Sequence, residues 1–353
     1  MTEDAQRTAV PPQESGAAGL AAGPESAGAP PSTSITGAAR GRRAPLEWVA
    51  HGGILIPLVV TFVVLAAISP TFLHFTNLLN ILDQQSAIMT VAAAGTLVLI
   101  CGGLDLSVGA TYALAGVTAA QLTQTAGPAV GIAAGLLLGL LVGLANGVIV
   151  TRFKINSLIA TLAMSYVITG VATISTKGNL IVAFDHPEFQ KFAATRIFGF
   201  TSASLIMILS VIVLAIVLGL TTFGRYVYAT GGNSEAARLA GVRVNGTRIA
   251  AFAISGVAAS LGGIIDASRT LSMQASSGGF LAFTVLAGIV VGGTSILGGE
   301  GAVWRTVAGC LFIAMVGNGF NLEGLDPFYQ QITLGLILLA AVGIDAWSRG
   351  RQR

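Results

Sequence analysis

Charge is the scarcest commodity in this chain. Asp, Glu, Lys and Arg together make up 9% of its 353 residues, against about a quarter of an ordinary soluble domain. A soluble fold of this length needs a charged shell, and none can be built here. That excludes a soluble enzyme, a nucleic-acid module and a disordered scaffold. Cysteine is nearly absent: Cys101 and Cys310 lie in or beside apolar runs and supply neither a disulfide framework nor a metal knuckle. His51, His74 and His186 are too far apart in sequence to suggest a metal site. No G-x-x-x-x-G-K-[S/T] occurs, so ATP has no P-loop to bind, and no H-E-x-x-H occurs. No apolar run carries the relay of acid, Arg or His that proton-driven pumps use, so the energy source is expected outside this chain.

Apolar residues are abundant, at 54% of the total, with a mean hydropathy of +0.81. Residues 1–44 stand apart. They are Ala, Gly, Pro, Ser and Thr with scattered charge and no aromatic residue, which reads as a disordered tail rather than a secretory signal. Beyond it come ten apolar runs of roughly spanning length: 49–68, 77–101, 106–124, 129–151, 157–176, 202–222, 246–267, 280–296, 302–320 and 328–347. The expected fold class is an all-α membrane protein of about ten transmembrane helices, occupying 45–348, with a short C-terminal tail at 349–353.

Lys and Arg placement sets the orientation. With both termini in the cytoplasm, fourteen of the eighteen cationic residues fall on the inner side and four, Lys177, Lys191, Arg196 and Arg269, on the outer. The long outer loop then runs from 177 to 201 and the long inner loop from 223 to 245.

Three segments carry candidate chemistry. The first is GGLDLSVG at 102–109, with Gly103, Asp105, Ser107 and Gly109. Its glycines let a helix stop and turn. A break at membrane depth is tolerated only inside protein or beside a water-filled path. An acid at that depth either caps the next helix or faces a transport path. The second is GIVVGGTSILGGEG at 288–301, with Gly292, Gly293, Thr294 and Ser295. Its local likeness to the first break suggests paired broken helices, while small residues also suit plain helix packing. The third is GGNSEAARLAG at 231–241, read as a short helix capped by Asn233 or Ser234, begun with Glu235 and ended at Gly241. Ala236, Leu239 and Ala240 form its apolar face, which docks either on a protein partner or on the membrane surface. Amides within the runs, Gln84, Gln85, Asn146, Asn318, Asn321 and Gln331, could serve a substrate rich in hydroxyls or bond helix to helix.

At these segments the chain resembles the membrane permease subunits of bacterial ABC importers for monosaccharides, the ribose-type permeases. NLLNIL at 77–82, GLDLSVG at 103–109, GRYVYATGGNSEAARLAG at 224–241, GGTSILGGEG at 292–301 and YQQ at 329–331 carry the likeness. The resemblance implies the ABC importer permease fold in the bacterial inner membrane. It implies a second permease subunit as homodimer partner, a cytoplasmic ATP-binding subunit holding ATP and Mg, and an extracytoplasmic sugar-binding protein. Nucleic acid has no part in it. The inner-loop helix would couple to the ATPase through Asn233, Ser234, Glu235, Ala236, Ala237, Arg238, Leu239 and Gly241. Ribose-type members commonly carry Glu-Leu-Asp ahead of the G-G-T-S segment; here 279–284 is GFLAFT, without an acid. That departure puts ribose itself in doubt. The alternatives are a branched-chain amino acid or nucleoside permease of the same superfamily, an ion-coupled secondary transporter, and an intramembrane enzyme.

Overall fold

The computed structural model describes residues 53–350. The predicted tail at 1–44, the start of the first apolar run and the last three residues lie outside the described residues, as do the side chains beyond 343.

Each of the ten predicted runs contains a helix among the described residues, though in the run 280–296 it stops at Val291. They appear as α1 (Leu55–Ile68), α2 (Phe75–Ile100), α3 (Val108–Ala126), α4 (Pro128–Arg152), α5 (Ser157–Thr176), α7 (Ser202–Leu220), α10 (Val244–Thr270), α11 (Leu281–Val291), α12 (Val303–Leu322) and α13 (Pro327–Gly350). Among the described residues three shorter helices join them: α6 (Pro187–Ala194) in the 177–201 loop, then α8 (Thr222–Gly232) and α9 (Ser234–Leu239) in the 223–245 loop. By length and composition α4, α5, α7, α10 and α12 are long and apolar enough to cross a membrane. α2 and α3 are also long but more polar, and more than half of each is buried. They sit inside the protein, where side chains need not satisfy lipid. α11 has only 11 residues, too few to span at 1.5 Å each.

α10 is the axis of the fold, packed against α4, α3 and α2. The reason lies in α4. Its glycines at 131, 135, 139, 143 and 147 recur every fourth residue, so they form one stripe, and all are buried. On the far side Leu137, Leu141, Leu144 and Val148 are exposed, as a lipid-facing surface requires. A Cβ at Gly139 would overlap the Gly256 carbonyl oxygen, and one at Gly143 the Phe252 carbonyl oxygen. Lipid gives no hydrophobic drive to pair helices, so close backbone approach through small residues supplies the packing energy.

The loop at 177–201 is folded. β1 (Ile181–Val182) pairs antiparallel with β4 (Ser272–Met273), and β2 (Arg196–Ile197) with β3 (Phe200–Thr201) as a hairpin. Phe189 of α6 is fully buried in a cluster with Tyr112, Ile264 and Met273, so this loop rests on the ends of α3 and α10.

Candidate functional site: two helix breaks and the inner-loop helix

The two breaks stop their helices in the same way. After α2, Gly102 adopts φ +80°; its N–H donates to Leu99 O at 3.0 Å and the Gly103 N–H to Val98 O at 2.9 Å. After α11, Gly293 adopts φ +86°; its N–H donates to Val290 O at 2.8 Å and the Thr294 N–H to Ile289 O at 3.2 Å. Each is a left-handed glycine stop that satisfies terminal carbonyls.

Side chains of α5, α10 and α4 hold the first break. The Leu104 N–H donates to Ser157 Oγ at 3.0 Å and the Leu106 N–H to Thr161 Oγ1 at 3.0 Å, while the single Thr161 hydroxyl proton lies between Ser157 O at 2.8 Å and Leu104 O at 3.2 Å. The backbone groups freed by the break are thus paired by protein, the condition for irregular backbone away from water. Asp105 Oδ1 accepts from the Ser107 N–H at 3.1 Å and from the Ser107 hydroxyl at 2.6 Å, and Oδ2 accepts from the Ser255 hydroxyl at 2.9 Å. Asn146 Nδ2 donates to Ser107 Oγ at 2.7 Å. The Ser107 hydroxyl spends its one proton on Asp105, so its oxygen takes the Asn146 amide N–H, which fixes the amide orientation.

Asp105 is therefore less a helix cap than a tie. It closes the turn that leads into α3 and fastens it to α10; Ser107, at the N-cap position, makes no side-chain capping bond. Asp105 also lines a small cavity with Gly95, Leu99, Leu104 and Leu106, closed on the other side by Ala282, Val285, Leu286 and Ile289 of α11. A larger groove of about 370 Å³ joins the breaks, between Gly102–Leu104, Asn156–Ile159 and Ile296–Leu297. Gly109, the second residue of α3, meets the Gly278 backbone in the turn ahead of α11, so that turn packs against the start of α3.

The remaining predicted amides do not line either cavity. Asn318 exchanges two hydrogen bonds with Asn77, at 3.1 and 2.9 Å, clamping α12 to α2. Gln84, Asn321 and Gln331 are exposed and Gln85 is half-buried. Gln330, next to Gln331, lies against Gly317 of α12.

α9 has the predicted caps. Asn233 Oδ1 accepts from the N–H groups of Glu235 at 3.1 Å and Ala236 at 2.9 Å. Gly241, at φ +86°, donates to Arg238 O at 3.0 Å. Glu235 and Arg238 pair at 3.2 Å in the open. Only Ala237 is buried in its own chain, while Ala236, Leu239 and Ala240 all face outward, with Leu239 83% exposed. The predicted apolar face is left free by the fold.

Tyr112 and Asp266, which sequence reasoning passed over, join Arg269 in tying α3, α10 and α2 together. Tyr112 Oη donates to Asp266 Oδ2, Arg269 pairs with Asp266 Oδ1 at 2.6 Å, and Arg269 Nη1 donates to Asp83 O at 3.0 Å. The available signal was an Asp and an Arg three apart at the end of an apolar run.

Residues 77–342 match the family described as the branched-chain amino acid transport system / permease component. The chain belongs to that permease family. It is 36% identical to the ribose import permease protein RbsC of Escherichia coli (strain K12) over 302 residues, 84% of this chain and 94% of the relative. Identity to the RbsC of Bacillus subtilis (strain 168) is 36% over 295 residues, 83% of this chain and 92% of the relative. Identity to the L-arabinose transport system permease protein AraH of Escherichia coli (strain K12) is 38% over 302 residues, 85% and 92% of the two chains. No solved structure matches. With the apolar helices described above, membership of this family makes the chain a multi-pass membrane protein.

Proposed function

We propose that the chain is the membrane subunit of an ATP-driven importer for a monosaccharide, delivered by an extracytoplasmic binding protein and released into the cytoplasm. Two copies form the path, and a separate subunit binds ATP and Mg and hydrolyses the nucleotide. The relatives named for ribose and L-arabinose support the sugar class. The observation that carries the mechanism is α9: a capped helix whose apolar face its own fold leaves uncovered, joined by one residue to α8.

In this reading ATP binding moves the docked α9 and shifts the equilibrium between inward- and outward-open states. The helix breaks at 102–107 and 292–302 form the cytoplasmic end of the path. The termini and the α9 loop are cytoplasmic, following the excess of Lys and Arg.

Uptake of labelled ribose, L-arabinose and leucine tests it, in cells that lack their own carriers and express this chain with the ATPase and binding protein of the same organism that co-purify with it. Accumulation of a pentose, lost when the ATPase is omitted, is expected. Accumulation of leucine instead would move the substrate to the amino acid class. Concentrative uptake by the chain alone would overturn the ATP-driven reading. Arg238→Glu reverses a charge on the exposed face of α9. It is expected to cut uptake at least tenfold, about 1.4 kcal/mol of coupling, with the protein still in the membrane.

A further inference from the structure

One place in the molecule joins all three candidate segments by backbone alone. The Gly299 N–H, in the second break, donates to the carbonyl of Ile100, the last residue of α2 before the first break, at 2.8 Å. Gly231, in the last turn of α8, lies directly on that bond. A Cβ there would overlap the Ile100 oxygen and fall 2.7 Å from the Gly299 nitrogen. One residue on, a Cβ at Gly232 would meet nothing within 4 Å. α9 begins at Ser234, three residues after Gly231. A second bond runs beside the first, from Tyr228 Oη of α8 to Gly301 O at 2.8 Å.

Two buried hydroxyls at this junction have no hydrogen-bond partner: Thr230 Oγ1, immediately before Gly231, and Thr294 Oγ1, against which a Cβ on Gly301 would press. Buried polar groups are almost always paired, so each orphan calls for a reason. A junction with a second arrangement, in which those hydroxyls find partners, supplies one. Interfaces with two discrete packings are how small displacements become large ones.

We infer that Gly231 is a positioning residue of the transport cycle. Displacement of α9 reaches both helix breaks through the contact of Gly231 with the Ile100–Gly299 hydrogen bond, and Tyr228 keeps α8 in register with it. This rests on the reading of α9 as the ATPase-docking helix, so the two need separate readouts. Leu239 reports docking. Leu297, in the second break and 71% exposed, reports the break. The native Cys101 and Cys310 are buried, which keeps the background of a thiol reagent low.

The experiment labels single added cysteines, Leu239→Cys or Leu297→Cys, with a maleimide in permeabilised cells that express the full importer, with and without Mg-ATP. Protection of Cys at 239 by the ATPase is expected, together with a change of about fivefold in the labelling rate at 297 on adding ATP. In Gly231→Ala, protection at 239 stays and the ATP response at 297 falls to none. In Gly232→Ala both stay. Both variants add the same methyl group to the same helical turn, where alanine is the better helix former, so propensity cannot explain a difference. Tyr228→Phe, which removes one hydroxyl from α8, is expected to lower the response at 297 by about half while protection at 239 holds, and it covers the case in which Gly231→Ala does not fold. If 239 is never protected, the docking reading fails. If 239 is protected but 297 ignores ATP, or answers it fully in both Gly231→Ala and Tyr228→Phe, the inference is overturned.

Discussion

Two glycine-rich contacts hold this protein together, and they are built on opposite properties of the same residue. Along the α4–α10 seam the glycines at 131, 135, 139, 143 and 147 have ordinary helical backbone, and what matters is the missing Cβ. At the junction of the two breaks Gly231 also lacks the Cβ that would clash, but Gly102, Gly298, Gly299 and Gly301 all have positive φ, and what matters there is access to backbone that other residues avoid. The polar groups divide the same way. Five buried side-chain atoms among the described residues have no partner. Thr230, Thr294 and Arg305 belong to the segments that meet at the junction, and Arg248 lies beside Cys101 next to it. Asn146 belongs to α4 and Arg248 to the first turns of α10, the end of the seam that reaches the junction. Tyr228, at the junction, has its phenol pushed above its ordinary range by burial, with Arg305 pulling the other way. A seam that is regular and nearly satisfied is a fixed contact. A junction with left-handed turns and orphaned hydroxyls is one that can rearrange.

The comparison breaks first at the seam. In Gly143→Leu the new side chain would meet the Phe252 carbonyl and Ala253 Cα of α10, neither of which can step aside. Overpacking of this kind costs about 3 kcal/mol or more. The expected result is loss of folded protein from detergent extracts, seen as aggregation in size-exclusion chromatography. A monodisperse, transport-competent Gly143→Leu would show the seam to be loose. At the junction the same class of change should spare the fold. Gly298→Ala puts a methyl 2.9 Å from Gly102 Cα at φ +87°, a strain of about 1–2 kcal/mol. Protein level within twofold of wild type and uptake reduced at least tenfold are expected; equal loss of both would make the junction one more structural contact.

The helices were legible because lipid imposes length and apolarity on each run, and composition reads both. The span 157–176 matches α5 residue for residue. The stops at 102 and 293 were legible as glycine clusters, and the cap at Asn233 as a short polar residue ahead of a helix. The role of the amides was not. Asn318 serves Asn77, 241 residues away, and Asn146 serves Ser107; no local pattern encodes a partner on another helix. For the same reason Ser157, Thr161 and Ser255, which hold the first break, were invisible, since a Ser or Thr within a helix looks alike whether or not it reaches a neighbour. The free face of α9 was predicted as apolar, but that Ala237 alone would turn inward depended on how α8 and α10 approach it.

The smallest change asks the sharpest question of the junction. Thr294→Val keeps the shape of a 2% exposed side chain and removes a hydroxyl that has no partner in this conformation. Deleting an unsatisfied buried group is worth about 1 kcal/mol or somewhat more to the state that contains it. The melting temperature in detergent should therefore rise by a few degrees. If the hydroxyl is orphaned only in this arrangement and paired in the next, the same substitution makes leaving this state harder. The initial rate of uptake should then fall about fivefold or more by the same free energy. The two effects have one cause and must move together. A higher melting temperature with an unchanged rate would mean that Thr294 is unpaired in every state, and the junction would then be as static as the seam.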